Sequence, residues 1–92
     1  MKITPSTERV SVSLDYPCDG YVTIFFETYF GEKPPRVIEF PKVWRENGKQ
    51  YKVAECAYRR WGSACEYPAP TIKVPEGVGF ANVDGDCKVV RY

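Results

Sequence analysis

The chain has 92 residues, with 13 basic and 12 acidic side chains and a net charge of +1. This length predicts one domain over residues 1–92, and the balanced charge excludes a strong field toward nucleic acid or an anionic membrane. An apolar content of 43% excludes intrinsic disorder, and eight prolines with seven glycines exclude long helices.

The first two predicted elements form a hairpin. Residues 8–14 alternate, with Val10, Val12 and Leu14 on one side, which is the period of a half-buried strand. A turn with Pro17 and an Asp-Gly pair follows, and residues 21–30 continue in strand-forming residues. Both faces of this second strand carry large apolar groups, so we expect it to be central, with one face on the core and the other under a second layer or a partner.

The next elements are a short strand over residues 36–40 and a second hairpin. Asn47-Gly48 separates two strand-like segments, residues 43–46 and 49–53. This pair tolerates the positive φ that both central positions of a type I′ turn require, so it is the strongest local signal in the chain.

The remaining elements are one helix and two strands. Residues 54–67 lack proline and place Cys56, Arg60 and Ala64 on one stripe, which predicts a helix or a helical turn. Residues 71–74 and 87–91 predict strands, with a loop at 76–79 and an Asp-Gly turn at 84–85. The predicted fold is mainly β, a β-rich α+β domain: a small antiparallel sheet or a partly open barrel with one short helix.

Histidine is absent, which removes the commonest general base and most metal sites that do not use thiolates. We therefore predict a protein that is not an enzyme and has neither cofactor nor metal. A thiol-dependent or zinc-bound protein is a third hypothesis, because Cys56 and Cys65 flank Arg59-Arg60, but the cysteines lack the close pairing of zinc ligands.

Four cysteines, an even number in a small domain, suit two disulfides, and buried reduced thiols are the alternative. The candidates are Cys18, Cys56, Cys65 and Cys87. No apolar stretch has the length of a signal peptide or membrane span, so we expect no membrane insertion. Disulfides would indicate a secreted or cell-surface location, and free thiols a cytoplasmic one.

A mixed basic and aromatic surface is predicted around the second hairpin and the segment after it. Its residues are Trp44, Arg45, Lys49, Tyr51, Arg59, Arg60 and Trp61. Aromatic and arginine side chains are enriched at interface anchors, so a protein partner is the leading prediction. The same residue types form stacking platforms for single-stranded nucleic acid, which is the alternative, and packing of both tryptophans in the core is a third interpretation.

Between Phe40 and Val78 the order of residues resembles the BspA-type leucine-rich repeats of bacterial surface proteins. The matching residues are Phe40-Pro41-x-Val43, Asn47-Gly48-Lys49-x-Tyr51-x-Val53, Ala57-Tyr58, Cys65 and Val74-Pro75-Glu76-Gly77-Val78. Glu55-Cys56 replaces the expected Ile-Gly, and no second full repeat follows. The resemblance implies a secreted protein that acts in adhesion or ligand recognition.

Overall fold

The computed structural model describes residues 1–29, 31–61, 67–82 and 87–92. All the regular secondary structure in these ranges is β-strand, so the prediction of a mainly β fold is confirmed. The strands are β1 (Val10–Leu14), β2 (Tyr21–Thr28), β3 (Val37–Glu39), β4 (Val43–Glu46), β5 (Lys49–Arg60), β6 (Thr71–Val74), β7 (Gly79–Asn82) and β8 (Lys88–Arg91). Within these ranges no helix has the length and apolarity to cross a membrane.

The strands form two sheets, and the chain alternates between them. The large sheet has the order β1-β2-β5, and β4 and β7 share the other edge of β5. The small sheet has the order β3-β6-β8, and Lys2 forms a parallel bridge beside β3. The expected central position of β2 is thereby confirmed.

Pairing is antiparallel only in the two predicted hairpins, β1–β2 and β4–β5. The β2–β5, β5–β7, β3–β6 and β6–β8 pairs are parallel. Of the two predicted arrangements, a small antiparallel sheet and a partly open barrel, the antiparallel one therefore holds only in the hairpins. The reason is the path of the chain. It crosses into the other sheet between neighbouring strands and returns in the same direction, whereas a direct turn would reverse it.

The inner faces of both sheets contribute to one hydrophobic core. Ile38 and Ile72 lie in register on β3 and β6 and are fully buried. Val22, Ile24 and Phe26 face them from β2, and Phe26 stacks on Tyr58 with 5.7 Å between ring centroids. Strict alternation along β2 therefore divides it into a core face and an outward face.

Residues 54–60 belong to β5, so the prediction of a helix over residues 54–67 is wrong for its described part, and residues 62–66 lie outside the described residues. Cys56 and Arg60 do share a side, but positions four apart share a side in a strand as well as in a helix. Ala54 is an extra residue opposite β2 and forms a β-bulge. Before the bulge the buried residues of β5 are Tyr51 and Val53, and after it they are the even-numbered residues. This bulge hides the strand period in the sequence.

The turn between β4 and β5 has the predicted conformation, with φ of 53° at Asn47 and 76° at Gly48. Positive φ at both positions is the type I′ geometry whose twist matches that of the flanking strands. Strand β7 was not predicted. It begins at Gly79, where the sequence indicates a loop, and pairs in parallel with β5.

Candidate functional site

The predicted basic and aromatic surface does not exist as one patch. Lys49 begins β5 and Arg59 lies ten positions further along the same strand. At about 3.3 Å per residue the two side chains are about 33 Å apart along the strand. The hairpin cations and the Arg59–Trp61 segment therefore lie at opposite ends of the molecule, whose longest dimension is 38 Å.

Three of the predicted binding residues lie in the interior. Trp44 is 1% exposed and pairs in register with Tyr51, which is 6% exposed. Arg60 is buried, and its Nη1 donates a hydrogen bond to the Tyr67 carbonyl at 3.0 Å. These side chains pack inside the fold in this conformation, and their role as contact residues stays a prediction.

The other four predicted residues remain accessible but are separated. Arg45 donates a hydrogen bond to Gln50, and Lys49 forms an ion pair with Asp15 at 3.4 Å. At the far end of β5 the Arg59 guanidinium lies 3.7 Å from the centre of the half-buried Trp61 ring. A continuous track of cations and stacking rings for single-stranded nucleic acid is not formed by these residues.

The cysteines do not form the predicted pair of disulfides. Cys18 lies exposed in the turn between β1 and β2, whereas Cys56 and Cys87 are buried, and no disulfide joins these three to one another. Cys65 lies outside the described residues. Burial raises the pKa of the Cys56 thiol to about 12, so this thiol stays protonated at neutral pH and is a poor nucleophile. In the described ranges no cluster of three or more histidine, cysteine or acidic residues could hold a metal ion.

The outward face of the large sheet is the best candidate for a binding surface. Register places Ser11, Phe25, Ala57 and Ala81 side by side across β1, β2, β5 and β7. The neighbouring row contains Ser13, Thr23, Glu55 and Gly79. We call these two rows together with Tyr21 the outer face. Phe25 therefore stands between small side chains on the neighbouring strands, and its ring is half-buried.

Burial confirms that this face is open to solvent. Its residues on the edge strands and Glu55 on β5 are exposed, whereas Ala57 on β5 and the three residues of the central strand, Tyr21, Thr23 and Phe25, are half-buried. Charged side chains surround the apolar centre. Lys52 lies beside Tyr21, Glu55 lies in the second row, and Glu27 and Arg59 lie opposite each other in the strand register beyond Phe25. An apolar centre within a polar rim is the usual anatomy of a protein interface.

A shallow depression of about 250 Å³ lies on the outer face, lined in part by Thr23, Ala57 and Gly79. The Thr23 Oγ1 atom is buried and has no hydrogen-bond partner among the described residues. An unpaired buried hydroxyl costs about 1–3 kcal/mol. The sequence did indicate two residues of this face, Tyr21 and Phe25, because large apolar side chains occur on both sides of β2.

Comparison of the chain with protein-family models, with curated proteins and with solved structures found no match.

Proposed function

We propose that this chain is a non-enzymatic protein-interaction module whose partner docks on the outer face. The observation that carries the proposal is the placement of Phe25 at the centre of an open sheet face, flanked in register by Ser11 and Ala57. A large apolar side chain facing solvent on a central strand contributes less to folding than an inward one, whereas it is well suited to anchor a partner.

The size of the face defines the kind of complex. From β1 to β7 the strands span three spacings of about 4.8 Å, and Tyr21 to Phe25 spans about 13 Å. With the side chains included, the outer face offers about 400 Å² to a partner, or about 800 Å² buried on both sides. Stable complexes bury about 1,200–2,000 Å² in total, so the expected complex is weak and transient.

We also propose that the protein is secreted or associated with a bacterial surface, as its resemblance to BspA-type repeats implies. The support is that Ile38 and Ile72 occupy equivalent buried positions on parallel strands, each with a proline three residues later, at Pro41 and Pro75. Stacked coils with equivalent core positions are the geometry of repeat proteins. Labelling of intact cells with a membrane-impermeant biotin reagent tests the location: modification only after lysis would contradict it.

Site-specific photo-crosslinking in cells that express the protein tests the docking surface, because covalent capture retains a weak complex. A benzophenone amino acid replaces Phe25 in one variant and Tyr16 in another. Tyr16 is the matched control, since it is 57% exposed, more than any other large apolar side chain of the described residues, and lies in the turn between β1 and β2.

We expect the Phe25 variant to form a defined protein adduct that mass spectrometry identifies, and the Tyr16 variant to form little of it. Equal yields at both positions would mean that exposure alone drives capture. That result, or no adduct at Phe25, would refute docking on the outer face.

A further inference from the structure

A second candidate binding site lies away from the outer face, where the chain enters the small sheet. It is a groove of about 480 Å³ between residues 33–36, which precede β3, and residues 67–71, which lead into β6. Its lining includes the side chains of Lys33, Pro34, Arg36, Tyr67, Pro68 and Ala69. This volume is within the range of about 300–1,000 Å³ found for ligand pockets. We call it the cationic groove.

Both walls of the cationic groove are fixed by hydrogen bonds. The Thr71 amide donates to the Arg36 carbonyl at 2.9 Å, which joins the two walls. The buried Arg60 donates from Nη1 to the Tyr67 carbonyl at 3.0 Å, which holds the start of the second wall. Proline limits φ at positions 34 and 68. A site held in this way loses little conformational entropy when a ligand binds.

The two cationic side chains that line the groove are unpaired within the part of the chain that the structure describes. Lys33 and Arg36 are exposed, and neither has an ion pair or a hydrogen bond from its side chain to any described residue. A third cation, Lys88, lies next to the groove, because its Cα is the register partner of the lining residue Thr71. By contrast, Arg9 is paired with Glu32 and Lys49 with Asp15. The groove therefore presents positive charge for an external anion.

We propose that the cationic groove binds an extended acidic segment of a partner protein. Carboxylates of the segment pair with Lys33, Arg36 and Lys88, and the planar guanidinium of Arg36 can bind a carboxylate through two parallel hydrogen bonds. An apolar side chain between the carboxylates packs against Pro34, Pro68 and the Tyr67 ring. This site shares no residue with the outer face and does not depend on docking there.

A protein segment fits the groove better than a nucleic acid does. Single-stranded nucleic acid binds where successive rings stack along a cationic track, and the described lining of the groove has one ring, that of Tyr67. The chain as a whole has a net charge of only +1, which gives little attraction for a polyanion. Apolar walls between separate cations suit instead a chain in which acidic and apolar side chains alternate.

Fluorescence anisotropy with the full chain tests this site. The probe is a fluorescein-labelled nonapeptide in which glutamate alternates with leucine, and the control peptide has glutamine in place of glutamate. The test variant is Arg36→Glu, and the matched control is Arg45→Glu, an equal charge change at an exposed arginine on β4. Far-UV circular dichroism and urea midpoints confirm that both variants are folded.

We expect saturable binding of the glutamate peptide, at least tenfold weaker binding of the glutamine peptide, and several-fold weakening between 50 and 500 mM salt. Arg36→Glu weakens binding at least tenfold, whereas Arg45→Glu and the outer-face variant Phe25→Thr change it less than twofold. Absence of saturation at 1 mM chain, or equal effects at Arg36 and Arg45, overturns the proposal. Tighter binding of a single-stranded oligonucleotide, lost in Arg36→Glu, also overturns it in favour of nucleic acid.

Discussion

Phe25 and Phe26 are neighbours in the chain but lie on opposite faces of β2, so the same substitution at each position has different consequences. Phe26 is 4% exposed and stacks on Tyr58, whereas Phe25 is half-buried on the outer face. Phe26→Ala leaves a cavity in the core and should cost about 3–5 kcal/mol of unfolding free energy. Phe25→Ala leaves no closed cavity and should cost about 1–2 kcal/mol.

Urea denaturation followed by circular dichroism measures both costs. With a slope of about 1.5 kcal/mol per molar urea, Phe26→Ala lowers the midpoint by about 2–3 M and Phe25→Ala by about 1 M. Each variant controls for the other, because both lose the same ring from the same strand. A shift for Phe25→Ala equal to that for Phe26→Ala would show that Phe25 is packed under another layer, and would remove the basis for docking at this face.

Two further predictions test the interior positions of Trp44 and Cys56. The Trp61→Phe variant retains Trp44 in the core and should show blue-shifted fluorescence that acrylamide quenches weakly. The Trp44→Phe variant retains the half-buried Trp61, whose fluorescence acrylamide should quench more strongly. Equal quenching of the two variants would contradict the burial of Trp44. With a pKa of about 12, only about one Cys56 thiol in 10,000 is ionised at pH 8. Maleimide labelling mapped by mass spectrometry should therefore modify the exposed Cys18 in the native protein and Cys56 only in urea. Rapid labelling of Cys56 in the native protein would refute its burial.

The sequence was informative wherever structure depends on neighbouring residues. The Asn47-Gly48 turn, the first hairpin and the strand Thr71–Val74 are local features, and each was predicted at or near its observed bounds. Parallel pairing, in contrast, joins segments that are far apart in the sequence. Alternation along one strand shows which side is buried, but it does not show which distant segment lies alongside or in which direction it runs.

The positions of the predicted binding residues in the fold could not be predicted for the same reason. Trp44, Tyr51 and Trp61 are residue types that occur in interfaces and in cores, and only the register of β4 and β5 assigns the first two to the interior. The outer face was partly visible, because Phe25 and Tyr21 oppose the core residues of β2. The cationic groove could not be predicted from the sequence, since residues 33–36 and 67–71 are brought together only by the pairing of β3 with β6.

The twelve-residue strand β5 has a consequence for synthesis of the chain. It completes the large sheet only by pairing with β2, whose residue Tyr21 lies beside Lys52, 31 positions later. A nascent chain therefore leaves the ribosome with the second edge of β2 unpaired until β5 follows, and β7 reaches its place on β5 still later. During this interval the hairpin of β1 and β2 offers an unpaired edge to other nascent chains, a hazard that favours chaperone binding before release.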